Sequence, residues 1–401
     1  MSNVLITYES YDPCNQTDTD ILSGIMRACN EDSVIIHKLE AQVTKADLEF
    51  CDIVIFIRPA SINALEIAKA ARRAGIFVVS LFDDDLINIS KGPHYEHFHW
   101  RRNYAKKVLA LTTVLIAEND LIISEYVGYM KRPRVALRKN VVVRTDEKWR
   151  AVSDADKTLR VIYAAGPDHA HFFNNIVGPA VAPLISRYPD AFDFTFLGVQ
   201  PDLSLFPKDA KVHLEPLVPY GEFTEFLKKG KFDLGLAPLE DKPFMNRKGA
   251  VKYIDYTLVG ALGIYSNCLP YTTVIRSGEN GILANNTPGD WLSALSFCAE
   301  HPTDVKRMAK NAQEDLQKNY RVERVVDELK KDAPEFFGFT RERGKKVSFA
   351  KNGFSHALFS WRRKFNEKFL PNLKEKAGNV REQIKERGFF KAIAYYLRNR
   401  R

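Results

Sequence analysis

Apolar residues in the first third of the chain fall in short continuous runs: Val4–Thr7, Val34–His37, Asp52–Ile57, Ile76–Leu81, Val114–Ala117 and Val135–Leu137. Between them, apolar positions recur at helical spacing, as in Asp20–Cys29 and Ala64–Ala74. The second of these stops at Gly75, the residue type favoured just past a helix end. Continuous apolar strands alternating with helices predict a parallel sheet covered on both faces. The polar stretch Arg144–Lys157 breaks the pattern and reads as a linker. A second series then supplies strands at Leu159–Ala165, Phe192–Gly198, Lys211–Leu214, Leu234–Ala237, Gly263–Ser266 and Gly281–Ala284. Its helices fall near Val177–Arg187, Tyr220–Lys229, Lys252–Val259, Pro288–Glu300 and Thr303–Glu328. The expected fold class is α/β, with two Rossmann-like doubly wound domains at 1–143 and 159–335 facing a cleft, joined by a linker at 144–158. A basic, aromatic, helical tail occupies 336–401. Open α/β sheets bind ligands beyond the carboxyl ends of their strands, so the cleft is the expected site.

Charge divides the chain unevenly. The net charge is +9 over 401 residues, yet residues 341–401 hold 18 Lys and Arg against 5 Asp and Glu, which leaves the remaining 340 at −4. A mildly acidic body excludes a nucleic-acid-binding role for it, and the tail suits an anionic surface. Its basic residues are interleaved with Phe349, Phe354, Phe359, Trp361, Phe365, Phe369, Phe389, Phe390, Tyr395 and Tyr396, a composition fitted to a bilayer surface or to packing on the acidic body. Mean hydropathy is −0.27, and no run nears the ~18 apolar residues of a membrane span. The amino terminus shows no signal-peptide pattern. Five scattered cysteines without a CxxC read as reduced thiols. The expected place is the cytoplasm, with the tail against the inner face of the cell membrane.

The segment Phe244–Leu283 carries most of the chemistry. Lys248 and Lys252 sit on a loop entering a helix, whose free N–H groups and two ammonium groups make a diphosphate site. Asp255, three residues after Lys252, faces the same side of the helix. Asn246, Lys248, Lys252, Tyr253, Asp255 and Tyr256, followed by Ser266, Pro270-Tyr271, Val274-Ile275 and Gly278-Glu279-Asn280-Gly281, resemble the donor half of GT-B glycosyltransferases of the bacterial group-1, family-4-like, retaining set. Asp255 stands where that set has Glu, and Ile264 where it has Pro. Strand Val161–Ala165 followed by Gly166 and His169 extends the resemblance, with Phe172 at a position where the set has Asp. Glu215–Tyr220, including Val218, resembles the loop that frames the nucleobase.

In the first half, Arg58-Pro59 and Phe82-Asp83-Asp84-Asp85-Leu86 resemble the signature of the same enzymes. Asp83, Asp84 and Asp85 end a strand on the acceptor side, where they can contact acceptor, cap a helix or hold a metal. GT-B enzymes in general need no metal, and none is expected. His94, His97 and His99 follow. Their spacing lacks a fourth ligand, so a cleft loop is the better reading, with His94 toward the acceptor and His97 a catalytic candidate. The turn after the first strand lacks G-x-G-x-x-G, which argues against a dinucleotide dehydrogenase.

The resemblance covers roughly residues 1–335. It implies transfer of a sugar from a nucleotide diphosphate sugar to a glycan or lipid-linked acceptor, in surface polysaccharide or glycoconjugate synthesis and without a further cofactor. Lys252 is then the main catalytic residue. The donor would lie against Gly166, His169, Val218, Asn246, Lys248, Lys252, Tyr253, Asp255 and Tyr271. A GT-B-fold sugar-nucleotide epimerase and a degenerate, non-catalytic assembly subunit are the alternatives.

Overall fold

The computed structural model describes residues 2–10, 22–27, 32–89, 99–131, 135–138, 158–350 and 353–365. The first sheet contains β1 (Val4–Tyr8), β2 (Ile35–Leu39), β3 (Ile53–Ile57), β4 (Phe77–Phe82), β5 (Val114–Ala117) and β6 (Val135–Arg138), in the spatial order β2-β1-β3-β4-β5-β6. The second contains β7 (Leu159–Ala164), β8 (Phe192–Leu197), β9 (Lys211–Glu215), β10 (Leu234–Ala237), β11 (Leu262–Ser266) and β12 (Ile282–Ala284), in the order β12-β11-β10-β7-β8-β9. Every neighbouring pair is parallel. The winding reverses between β1 and β3 in one sheet and between β7 and β10 in the other. Loops leaving the strands on either side of such a point splay apart and open a crevice.

Local chemistry explains the elements. β3 and β4 are buried along their whole length, as strands covered on both faces must be. The helix Ile62–Ala74 starts at Ser61, whose hydroxyl accepts from the Ala64 N–H at 3.0 Å. Such a cap contributes about 1 kcal/mol. It stops at Gly75, in the left-handed region at φ 74°. The short helix Lys45–Phe50 is closed by a reciprocal box between Thr44 and Asp47.

One helix of the sequence reading proves to be two. Pro302–Asn319 packs on the second domain, and Val322–Asp332 follows after a break at Tyr320-Arg321. Val325, Val326, Leu329, Ala333 and Phe336 share a core with Ile6, Ile55 and Val79 of the first sheet. The break is where the chain crosses back, because the apolar face of the first sheet needs that helix as cover. Each buried Val or Leu stabilises by roughly 1.5–3 kcal/mol.

The beginning of the basic extension lies along the first domain. The Arg341 N–H donates to Asp52 at 3.2 Å and Arg343 pairs with the same carboxylate at 2.9 Å, just before β3. Val347 is buried in the first domain's core, and Arg73 donates to the Ser348 carbonyl at 3.2 Å. The helix Gly353–Arg363 then runs back along Ile62–Ala74, with His356 2.6 Å from Glu66. Phe359 is buried edge-on to Trp100, with ring centroids 5.0 Å apart. Arg363 reaches Glu9, directly after β1, at 3.3 Å. Of the two readings of the tail aromatics, bilayer contact or packing on the body, Phe349 and Phe359 take the second: their rings cover apolar surface of the first domain. Arg341, counted among the surface-binding charges, is buried. The linker reading falls on residues outside those described.

Candidate functional site

A cavity of about 300 Å³ lies between the two sheets at their carboxyl ends. The first domain lines it with Arg58, Asp83 and Asp84; the second contributes Tyr163, Ala165, His169, Leu236–Leu239, Lys248, Gly249, Val251, Lys252 and Tyr271. Its second-domain wall comes from the loops after β7 and β10, so it occupies that domain's winding reversal, where a ligand is expected.

The helix Val251–Leu258 begins with no side-chain cap, leaving its first amides without a side-chain partner. Lys252 is its second residue. The Lys252 ammonium is 3.4 Å from Asp255 and lies over the Phe223 ring at 5.4 Å. Lys248 stands 3.4 Å from Asp84, across the cleft, and 5.2 Å from the Phe244 ring centroid. Both ion pairs are long for charge-assisted bonds, which run near 2.7–2.9 Å. Burial holds the Asp255 carboxyl above its ordinary value, with Lys252 acting against it.

His169 follows β7. Burial pushes its imidazole down to about 4; Lys248, Lys252 and His171 act the same way and Asp168 opposes them. At neutral pH the ring is uncharged and holds one N–H to donate.

The three consecutive carboxylates go separate ways. Asp83 takes a two-pronged bond from Arg58, one arm being Nε at 2.5 Å. Arg58 is held at φ 51°, uncommon for a side chain of its size. Asp84 faces Lys248. Asp85 is fully buried; it accepts from the Tyr126 hydroxyl at 2.9 Å and from the Asn88 amide, and lies 3.2 Å from Arg247 Nε. Asp85 is thus a structural anchor rather than an acceptor contact.

Several other expected residues make internal contacts. Tyr253 is buried, and its hydroxyl donates to Asp315 at 2.6 Å and accepts from Asn280 at 3.0 Å. One residue on from Lys252, it projects about 100° around the helix and away from the cavity. The Tyr256 hydroxyl donates to the Leu236 carbonyl at 2.7 Å. Val218 is half-buried against the second domain's core, outside the cavity lining. Gly166 precedes the turn at Pro167–His169, and a Cβ there would sit 2.8 Å from the Asp168 carboxylate. Asn246 donates to Asp241 at 2.7 Å. His94 and His97 lie outside the described residues.

The structure adds a grip that sequence spacing could not reveal. The Asn119 side chain, following β5, donates to the carbonyls of Asn246 at 2.9 Å and Lys248 at 3.2 Å. Arg247 pairs with Glu125 at 3.1 Å. Gly249 lies against the Glu118 side chain, whose carboxylate would have to move to admit a Cβ, 2.3 Å away. The first domain therefore holds the loop that carries Lys248.

Solved structures share this architecture at low identity. HepE from Anabaena, in complex with UDP and glucose, superposes with TM-score 0.61 at 11% identity, over 82% of this chain and 99% of that one. The fold is GT-B. Sucrose-phosphate synthase from Thermosynechococcus elongatus gives TM-score 0.59 at 9% identity, over 85% and 100% of the two chains. An α-glucosyltransferase in complex with UDP and a 13-mer DNA gives 0.58 at 12%, over 82% and 98%. No family profile and no curated protein sequence matches the chain. These neighbours are GT-B glycosyltransferases. One of them was solved with DNA, so the fold gives no support to excluding nucleic acid on charge alone. Among the described residues, no helix is long and apolar enough to cross a membrane.

Proposed function

We propose that the chain is a glycosyltransferase taking its sugar from a nucleotide diphosphate sugar. The observation that carries this reading is the convergence of Lys248, Lys252 and the uncharged His169 on a cavity at the winding reversal of the second sheet. In a GT-B neighbour, that of HepE, UDP-glucose is the bound molecule.

In this reading the diphosphate displaces two weak internal carboxylate contacts, Asp84 from Lys248 and Asp255 from Lys252. The anomeric C–O bond breaks with its electron pair passing to the phosphate oxygen. The two ammonium groups and the open amides of Val251–Leu258 stabilise that growing charge, usually the largest catalytic term. His169 donates its N–H to a phosphate oxygen. The acceptor hydroxyl oxygen forms the new bond and yields its proton to the departing phosphate oxygen. Transfer is of a hexosyl unit with retention of anomeric configuration, as the sequence resemblance implies. The acceptor is a glycan or lipid-linked saccharide entering past Arg58 and Asp83, in surface polysaccharide or glycoconjugate synthesis.

Calorimetry with UDP-, GDP- and dTDP-sugars tests the donor site. One nucleotide should bind in the micromolar range, and Lys248→Ala should weaken it about tenfold. Absence of binding by every nucleotide diphosphate removes the reading in favour of a non-catalytic subunit. Conversion of the bound nucleotide sugar to its epimer without acceptor would assign the chain as an epimerase instead.

A further inference from the structure

The extension helix Gly353–Arg363 has two unlike sides. Phe359 and His356 face the first domain. Leu358 and Trp361 point outward, with 52% and 61% of their surface exposed, and Phe365 just past the helix end is 37% exposed. Positions 358, 361 and 365 recur at the spacing of one helix face. Trp361 and Phe365 stack with ring centroids 5.5 Å apart and planes at 16°. This is an apolar edge standing off the protein.

Its setting is cationic and directional. Residues 343–365 contain seven Lys and Arg and no Asp or Glu. Some of that charge is used internally, by Arg343 on Asp52 and Arg363 on Glu9. The Arg363 contact fixes where the edge lies. Glu9 follows β1, so the end of the helix stands at the carboxyl edge of the first sheet, the edge that also carries Asp83 and Asp84.

We infer that Leu358, Trp361 and Phe365 form a docking edge for an anionic bilayer surface, placed so that contact turns the cleft edge of the first sheet toward the lipid. An exposed tryptophan beside a leucine and a phenylalanine suits the headgroup–acyl boundary, where an indole keeps its N–H wet and its ring in hydrocarbon. The lysines and arginines supply the attraction to negative lipid, and that part falls with salt. A soluble protein partner would use the apolar edge without needing anionic lipid; a nucleic acid would use the charge without needing Leu358.

Full-length protein is sedimented with vesicles of phosphatidylcholine alone and of phosphatidylcholine mixed with phosphatidylglycerol. Binding is expected to the mixed vesicles, falling with added salt. Trp361→Ala and, separately, Leu358→Gln each lower the partition constant about tenfold, the effect of taking one large apolar side chain out of the interface. Nucleotide binding and melting temperature of both variants stay at the wild-type values, which shows the fold intact. Brominated acyl chains quench the fluorescence of the wild type and not that of Trp361→Ala. Equal binding of wild type and both variants overturns the inference, since residues 366–401 would then carry the charge attraction alone. Equal binding to neutral vesicles overturns its electrostatic half. A concentration-dependent dimer lost in Trp361→Ala, with no vesicle binding, would reassign the edge to self-association. Vesicle sedimentation, quenching and melting temperature do not depend on nucleotide binding or sugar transfer, so they stand or fall apart from the proposed activity.

Discussion

The two sheets are built alike and use their winding reversals differently. In the second domain the loops after β7 and β10 leave a cavity with Lys248, Lys252 and His169 at its wall. In the first domain the residue after β1, Glu9, is held by Arg101 at 2.6 Å and by Arg363 of the extension. Nearby, Glu40 is fully buried and bonded by the Ser61 hydroxyl. The second reversal opens directly onto the cavity, whereas the first, among the described residues, sends only Arg58, just after β3, to its wall and has Glu9 and Glu40 held by the chain's own side chains. Equal topology therefore does not mean equal use, and the charges on the described loop residues differ between the two crevices.

Phe359→Ala tests the tied side most severely. Removing this buried ring should cost about 3 kcal/mol. A lowered first-domain melting transition with nucleotide affinity unchanged would show that the extension supports only its own domain. Lys252→Ala tests the open side. Turnover should fall about a hundredfold, the scale of losing one preorganised group on a developing anion, with melting unchanged; near-normal transfer would break the assignment. Asn119→Ala links the two sides. It frees the carbonyls of Asn246 and Lys248, and should raise KM for the nucleotide sugar about tenfold while kcat changes less. A matching fall in kcat with constant KM would mean that the grip acts on the chemistry and not on the donor loop.

The smallest effects are in pH, and they run in opposite directions. Burial first, then Glu9, pushes the Glu40 carboxyl up to about 8 from 4.5. A raised acid binds more protons when folded, so its stabilisation is present at low pH and lost as pH rises through about 8. Glu40→Gln should therefore raise the melting temperature more at pH 8 than at pH 5. The His169 imidazole, lowered to about 4 from 6.5, binds fewer protons when folded, so stability is lost as pH falls through that window. His169→Asn should flatten that acid limb. Diphosphate binding near pH 6 should take up protons, seen as a buffer-dependent calorimetric enthalpy.

Strands were the most legible part of the sequence. Continuous apolar runs located Val114–Ala117 and Leu234–Ala237 to the residue, and Pro at the first turn marked Pro288–Glu300. The break between Pro302–Asn319 and Val322–Asp332 was hidden because apolar spacing continues through it while the domain being covered changes. The short helix Lys45–Phe50 escaped a periodicity search, although Thr44 and Asp47 already spelled its cap. In the Phe244–Leu283 segment, Lys248, Lys252 and Tyr271 reach the cavity while Tyr253, Tyr256, Ser266 and Asn280 brace it. A motif of that length mixes ligand-facing and bracing positions, and only the side-chain directions separate them. Asn119 and Glu118 were beyond reach, because their partners lie about 130 positions away.

The return of Val322–Asp332 and Gly353–Arg363 to the first sheet has a consequence for synthesis. The second domain's strands and helices, from Leu159 to Asn319, are contiguous and can close as they leave the ribosome. The first domain cannot: Ile6, Ile55 and Val79 wait for Val325 and Leu329, and Trp100 waits for Phe359. Domains commonly complete in the order they are made; this chain should invert that order. Nascent chains stalled once residue 320 has emerged should resist protease across the second domain while the first is still cut.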